Sequence, residues 1–464
     1  MSKSRMNLTT GPVARTLFFF SLPVLGSNVL QSLNASINSM WVGHYLGEAA
    51  LTATSNANIV LFFLLGVVFG LSMANTILVG QAVGARNIDQ AKRVVGTSAV
   101  FFIAVSVLLA LAGYIFTPHI LDAMGTPTDA RPYAVSYLRV IFIAVPFMYL
   151  YNVMMMTLRG TGDSRTPFWF MLLSAVIDVA LNPVLMFGWG PFPAMGIAGS
   201  ATATLIAQSF SLFAMLWHLK RRHYFLLLGK HELHYLKPDL AILRSLVFKG
   251  LPMGLQMLVI ASSAIVMISL VNQHGSTTTA AYGVASQLWN YIQMPALALG
   301  AGVSSMVAQN VGAGLWDRVS RITRVGVLFN FLMTGVLVAV LLLLDRLVLG
   351  LFLPDDAHAL AIARHIDLTV SWSFILFGVT IVLFATVRAT GAVVPPLIIL
   401  IISMWLTRLP FASFMSKLYG AEAIWWSFPV GSVVSLVLAL LYYKFGGWRR
   451  ARMVSKPEPA SASA

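Results

Sequence analysis

Twelve apolar stretches run through this chain of 464 residues, each about as long as the roughly 20 residues an α-helix needs to cross a bilayer. They are expected at 16–40, 52–80, 94–117, 134–157, 167–189, 197–219, 243–272, 280–307, 322–344, 365–387, 393–415 and 422–445. In lipid, every backbone polar group must find its partner inside the segment, so the expected class is an all-α membrane protein. Composition agrees, with 58% hydrophobic and 10% charged residues where soluble domains carry about 25% charged. No Cys is present, which excludes disulfides, thiolate chemistry and Cys-based metal sites. The first apolar run starts after Thr16 and outlasts a signal-peptide core, with no small-residue cleavage pattern, so it is expected to stay as the first span.

The net charge of +15 would suggest nucleic acid on a soluble protein. Here its distribution decides otherwise. Of the 30 Lys and Arg, 24 fall in loops on one side of the expected membrane, from Lys3 and Arg5 through the dense group at Lys220, Arg221 and Arg222 to Lys456. Only Arg131, Arg139, Arg346, Arg364, Arg408 and Lys417 fall elsewhere. The positive-inside rule then places both termini on the cytoplasmic side, and the charge is a topology signal with no nucleic-acid partner expected. Trp41, Trp425, Trp426 and Trp448 fit interfacial anchoring, and the nine His do not form a metal set.

The chain is internally duplicated. Val79-Gly-Gln-Ala-Val-Gly-Ala85 matches Val307-Ala-Gln-Asn-Val-Gly-Ala313, and Asp89 and Arg93 recur as Asp317 and Arg321. Leu22-Pro23 pairs with Leu251-Pro252, Arg159-Gly-Thr-Gly162 with Arg388-Ala-Thr-Gly391, Pro167 with Pro396, and Pro183 with Pro410. Each half holds an even number of spans, so both enter the membrane from the same side and the pseudo-two-fold axis lies along the membrane normal. The expectation is twelve helices in two pseudo-symmetric six-helix bundles around a central cleft. The lobes are expected at 1–219 and 250–445, with a cytoplasmic linker at 220–249 and a cytoplasmic tail at 446–464, and the chain is expected to be monomeric.

Of fifteen acidic residues, fourteen can be placed in loops, helix ends or tails. Asp178 stands alone inside a long apolar run, and an intramembrane carboxylate marks a transport or proton pathway by default. On a helix Ser174, Asp178 and Asn182 share one face, which Pro183 then interrupts. In the first span Asn28, Gln31 and Asn38 lie within about 80° of one another, with Asn34 at the margin. That polar stripe is expected to face Asp178, with Thr202 or Thr204 of the sixth span adding hydroxyls. Burial disfavours the charged form of a carboxyl, so Asp178 is a candidate to take up and release a proton. Intramembrane amides often only hold helices together, and that reading stands beside the functional one for Asn28, Gln31 and Asn34.

The stretches Ser21-Leu-Pro-Val24, Trp41-Val-Gly-His-Tyr-Leu-Gly47, Gly80-Gln-Ala-Val-Gly-Ala85, Leu158-Arg-Gly-Thr-Gly-Asp163, Asn182-Pro183 with Phe187-Gly188, Gly196-Ile-Ala-Gly199 and Val387-Arg-Ala-Thr-Gly391 are spread over nearly the whole chain. Together they resemble the multidrug and toxic compound extrusion (MATE) family, nearest to its proton-coupled, DinF-like branch. The resemblance implies a secondary antiporter of a bacterial-type inner (plasma) membrane that exports cationic, lipophilic drugs in exchange for protons or sodium ions, with no other cofactor. Relatives commonly carry an acid where this chain has Asn38. In the proton-coupled branch the fifth span often shows Asn and then Asp, whereas here Asp178 precedes Asn182. The acids that the sodium-associated branch adds in the second lobe would fall near Ile260 and Phe377 and are absent. Coupling is therefore expected in the first lobe, through Asp178, Asn182, Asn38, Thr202 and Thr204.

In the second lobe Gln256, Gln287, Asn290, Tyr291 and Met294 are candidates for a drug cleft, since aromatic faces and Met suit flat cations. Helix packing is the competing reading. Arg408 sits well inside the eleventh span beside Pro410, where it either snorkels outward or lines the cleft to repel cations or hold an anionic group. A flippase for pyrophosphate lipids would need several such cations, and Arg408 is alone at that depth. An intramembrane enzyme would need a nucleophile and base, or clustered His and carboxylates, and none is visible.

Overall fold

The computed structural model describes residues 7–46, 48–190, 192–350 and 357–454. Lys3, Arg5, Gly47, Lys456 and the 457–464 part of the expected tail lie outside the described residues. Among those described, all regular structure is helical: α1 (Val13–Leu46), α2 (Glu48–Gly84), α3 (Ile88–Ala123), α4 (Arg131–Gly160), α5 (Arg165–Phe187) and α6 (Ile197–Arg221) form the first half. The second half holds α7 (Leu240–Asn272), α8 (Ser276–Gly312), α9 (Trp316–Leu343), the short α10 (Asp345–Gly350), α11 (Ala357–Val370), α12 (Ser373–Thr390), α13 (Val394–Leu400), a π-helical segment Ile401–Arg408, α14 (Leu409–Tyr419) and α15 (Ala421–Phe445). Twelve of these, counting α13 to α14 as one, are long and apolar enough to cross a membrane.

The expected tenth span at 365–387 is two helices rather than one. After Ser371 N bonds to Asp367 O, the next bonds, Phe374 N to Ser371 O and Ile375 N to Trp372 O, close three-residue turns that separate α11 from α12.

Two compact units divide the chain, one made of residues 26–250 and the other of 8–25 with 251–453. This differs from the expected 1–219, 220–249, 250–445 and 446–464 boundaries in three places, each with a local cause. Residues 8–25 belong to the second unit because Asn310 Nδ2 donates to Leu8 O at 3.0 Å, Arg318 donates to Gly11 O and Thr10 O at 2.9 and 2.8 Å, and Gly302 leaves room for Leu17 and Ser21. The expected linker is packed within the first unit. A 3-10 turn at Lys230–Leu236 lies on α3, where Glu232 pairs with Lys92, Tyr235 Oη donates to an Asp89 oxygen at 2.6 Å, and Asp239 N donates to Thr97 Oγ1 at 3.1 Å. The Lys92 hydrogen bond holds the Glu232 carboxyl below the usual range. Residues 446–453 are likewise no free tail. Trp448 is 1% exposed, stacks on Tyr443 at 5.0 Å, and its carbonyl accepts from Thr390 Oγ1 at 2.9 Å. Neither Trp448 nor Trp425, at 2% exposure, stands as a surface anchor, whereas Trp426 is exposed.

Within the first unit α4 is the central helix, packed on α2, α3 and α6; in the second, α8 and α12 hold that place. The duplication extends to turn chemistry. After α2, Asn87 N bonds to Ala82 O and Arg86 takes φ 57°; after α8, Leu315 N bonds to Asn310 O and Gly314 takes φ 74°. Both are six-to-one helix stops that put one residue in the left-handed region. Glycine accepts that conformation, while a residue with a Cβ is strained there. Arg86→Gly is therefore expected to raise stability by about 0.5–1 kcal/mol, read as a higher thermal unfolding midpoint of the purified protein; an unchanged or lower midpoint would show that the Arg86 side chain offsets the strain.

Candidate functional site

Two four-residue ladders meet inside the first unit. On α5, Asp178 and Asn182 are one turn apart and buried, at 2% and 0% exposure. On α1, Asn34 and Asn38 are likewise one turn apart, and both aim at the same carboxylate. Asn34 Nδ2 donates to Asp178 Oδ2 at 2.7 Å, and Asn38 Nδ2 donates to the same oxygen at 3.0 Å. From α6, Thr204 Oγ1 reaches Asp178 Oδ1 at 3.1 Å. Asn182 Nδ2 closes the group by donating to Asn38 Oδ1 at 2.6 Å and to Ser200 Oγ at 3.2 Å. Tyr137 of α4 lies within Coulombic range of Asp178.

Every donor to Asp178 is neutral. Hydrogen bonds to a charged acceptor are each worth about 1.5–3 kcal/mol, so three of them support an anion, but none supplies the opposite charge. Among the described residues no Lys or Arg pairs with Asp178. Two amide oxygens in the group, Asn34 Oδ1 and Asn182 Oδ1, are also buried without a partner. Chemically the cluster is a buried, oxygen-rich group with one carboxyl and, among the described residues, no Lys or Arg paired with it.

The other candidates are placed differently. Gln31 shares nearly the angular position of Asn38 but lies seven residues away, about 10 Å along the axis, and neither it nor Asn28 bonds to the cluster. Ser174 is buried one turn before Asp178 and makes no bond to the carboxylate. Thr202 turns its hydroxyl back to Ala198 O at 2.7 Å.

In the second unit Gln256 uses both ends of its amide structurally. Its Nε2 donates to Val393 O at 3.2 Å, and its Oε1 accepts from Arg388 Nη1 at 2.9 Å, which ties α7 to the end of α12. Gln287, Asn290 and Tyr291 lie exposed on α8, while Met294 is buried. Arg408 stacks its guanidinium over Phe428 of α15, 3.5 Å from the ring centroid.

Asp178 is not alone as a deep acid. Asp367 on α11 is 0% exposed; its Oδ1 accepts from Trp289 Nε1 at 2.9 Å and its Oδ2 is buried without a partner. The signal was present in the sequence. Ala359, Ala363, Ile366 and Val370 make an apolar helical face, and Asp367 falls on it. Asp163, 1% exposed, is a second missed acid, and its carboxylate caps α5 through Arg165 N and Thr166 N, while Asp345, 5% exposed, is a third and pairs with Arg364.

The family model described as MatE matches residues 23–184 and again 252–414. The chain belongs to the MatE family. The two matched segments are the two halves of the duplication, and together they cover most of the chain. Among relatives, this MATE protein is 39% identical over 443 residues to the probable multidrug resistance protein YoeA of Bacillus subtilis (strain 168), covering 95% of each chain. It is 28% identical over 450 residues to the probable multidrug resistance protein YpnP of the same organism, covering 97% of this chain and 99% of that one. A crystal structure of MATE in complex with MaL6 superposes with a TM-score of 0.88 at 20% identity, over 97% of this chain and 98% of that one. At that identity the likeness shows the fold, and the twelve-helix MATE fold is the one present.

Proposed function

We propose that this MATE protein is a secondary antiporter that exports lipophilic cations in exchange for protons, with Asp178 as the coupling group. It sits in a bacterial-type inner membrane with both termini cytoplasmic, as the Lys and Arg distribution supports. The carrying observation is a buried carboxyl held by three neutral donors and no cation. Such a group binds a neutralising charge from outside and becomes neutral when it does. Protonation from the outer side then releases a cationic substrate, and loss of the proton inward restores the negative site. Export of drugs is supported by the names of its relatives, multidrug resistance proteins that align over nearly the full chain.

Sodium is the second reading, favoured by the unpartnered Asn34 Oδ1 and Asn182 Oδ1, which with the carboxylate offer hard oxygen ligands. One experiment separates the two. In proteoliposomes of the purified protein, a pH gradient without sodium is expected to drive ethidium transport, and a sodium gradient at equal pH is expected to drive none. Equal transport on a sodium gradient alone would overturn the proton assignment.

A further inference from the structure

Arg408 occupies, in the second half, nearly the register that Asp178 and Asn182 occupy in the first. Pro183 and Pro410 are repeat partners; Asp178 and Asn182 precede the first by five residues and one, and Arg408 precedes the second by two. The same span of the duplication thus carries an acid in one unit and a guanidinium in the other.

Two other arginines of the second unit have acceptors, one at the end of α12 and one partly exposed on α11. Arg388 donates to the Gln256 amide oxygen at 2.9 Å, and Arg364 to Asp345 Oδ2 at 2.5 Å. Arg408 has neither. Its Nε is buried without a hydrogen-bond partner, as is that of Arg388, but no nitrogen of Arg408 donates to an oxygen, and the guanidinium lies over Phe428. Behind Phe428 stands an aromatic wall, with Trp289 at 5.0 Å and Tyr282 at 6.4 Å between ring centroids and Trp425 stacked on Tyr282 at 5.9 Å. None of these residues carries a carboxylate; the one polar group of the wall within Coulombic range of the guanidinium is the neutral Tyr282 hydroxyl. Phe428 lies two turns inside α15, so the guanidinium sits beside the body of that helix and not at its terminus.

Local backbone aims the residue. The π-helical segment Ile401–Arg408 ends at Arg408, and its wider turn, seen also in the bond from Thr407 Oγ1 to Ile402 O five residues back, redirects the side chains that follow. Gly431 of α15 lets the arm pass, since a Cβ there would lie 3.2 Å from Arg408 Cβ. An unpaired cation inside a membrane bundle is costly and is retained where something pairs with it.

We infer that Arg408 is an anion-binding residue of the second unit that receives the carboxylate of an amphiphilic aromatic substrate. A planar guanidinium held flat on a ring keeps its fork of N–H donors in fixed geometry, which suits bidentate pairing with one carboxylate. A single guanidinium suits a single negative charge and not a pyrophosphate. The inference goes beyond cation export through Asp178, and its test reads binding rather than ion-driven flux, so each reading can fail without the other.

The full-length protein in lipid nanodiscs is titrated with three probes sharing one ring system: pyrenebutyrate, a pyrenyl phosphate monoester and a pyrenylalkyl trimethylammonium. Arg408→Gln is expected to weaken pyrenebutyrate at least about ten-fold, the loss of one charge-assisted pair, while the ammonium probe binds as well as before or better. Arg408→Lys is expected to recover only part of the affinity, because the fork is lost. Unchanged pyrenebutyrate binding in Arg408→Gln, or equal loss for the anionic and cationic probes, would overturn the inference, and stronger binding of the phosphate than the carboxylate would overturn the assigned head group. If Arg408→Gln does not fold, the wild type decides: pyrenebutyrate should block phenylglyoxal modification of Arg408 and the ammonium probe should not, and modification unaffected by pyrenebutyrate would sink the idea.

Discussion

Asp178→Asn should leave a folded protein that has lost gradient-driven export altogether, with only downhill substrate leak remaining in proteoliposomes. The substitution keeps shape and volume, so it opens no cavity, and the amide can still accept a bond on one side from Asn34, Asn38 or Thr204. What it removes is the single group of the cluster able to change charge. Neighbouring substitutions should be milder. Asn38→Ala takes away one donor to Asp178 and the acceptor for Asn182, at a cost of about 1.5–3 kcal/mol if the charged acceptor is left short, and should slow transport without uncoupling it. Thr204→Val should do less, since it removes one donor and no acceptor, and the single hydroxyl proton it removes is already shared between Asp178 and Ser200 O at 3.3 Å. Full pH-gradient-driven transport by Asp178→Asn would show that the coupling proton binds elsewhere.

Trp289→Ala is expected to be the most destabilising change in the second unit. The indole is 3% exposed and packs against Tyr282, Phe374 and Phe428, so its removal leaves a cavity worth about 3–5 kcal/mol. It also strips Asp367 Oδ1 of its closest donor, the indole N–H at 2.9 Å, with Ser371 Oγ remaining at 3.4 Å. Trp289→Phe separates the two effects: it fills most of the volume but cannot donate, and should cost about 1–3 kcal/mol, the price of an unsatisfied buried polar group. Asp367→Asn keeps an oxygen for the indole and should cost less than about 1 kcal/mol. Thermal unfolding of the purified variants checks the order. Should Asp367→Asn destabilise as much as Trp289→Ala, the negative charge itself, and not the acceptor, would be what holds this corner together.

The membrane fold was legible from the chain because each span needs only a long apolar run, a property that does not depend on neighbours. The duplication was legible for a related reason: turns, prolines and caps repeat as local chemistry, as Arg86 and Gly314 do at equivalent helix stops. Half of the Asp178 cluster was also within reach. Ladders spaced by four put Asp178 with Asn182 and Asn34 with Asn38 on common faces before any packing is known.

Packing decided the rest. Angular position cannot tell Asn38 from Gln31, because height along α1 matters as much and depends on where α5 crosses. For Asp367 the apolar face of its helix was legible, but its partner was not, because only the docking of α8 brings the Trp289 indole to it. The same holds for the segment around Tyr235, which docks on α3, and for Trp448, which is buried against the end of α12, because both find partners far along the chain. The sequence by itself determined the class, the spans and the one carboxyl around which the first half is built, since those follow from local hydropathy and helical period. Which amides reach that carboxyl, which arginine is left without an acceptor, and where one unit ends and the next begins were decided by the tertiary structure, because each depends on contacts between residues about 130 to 300 positions apart.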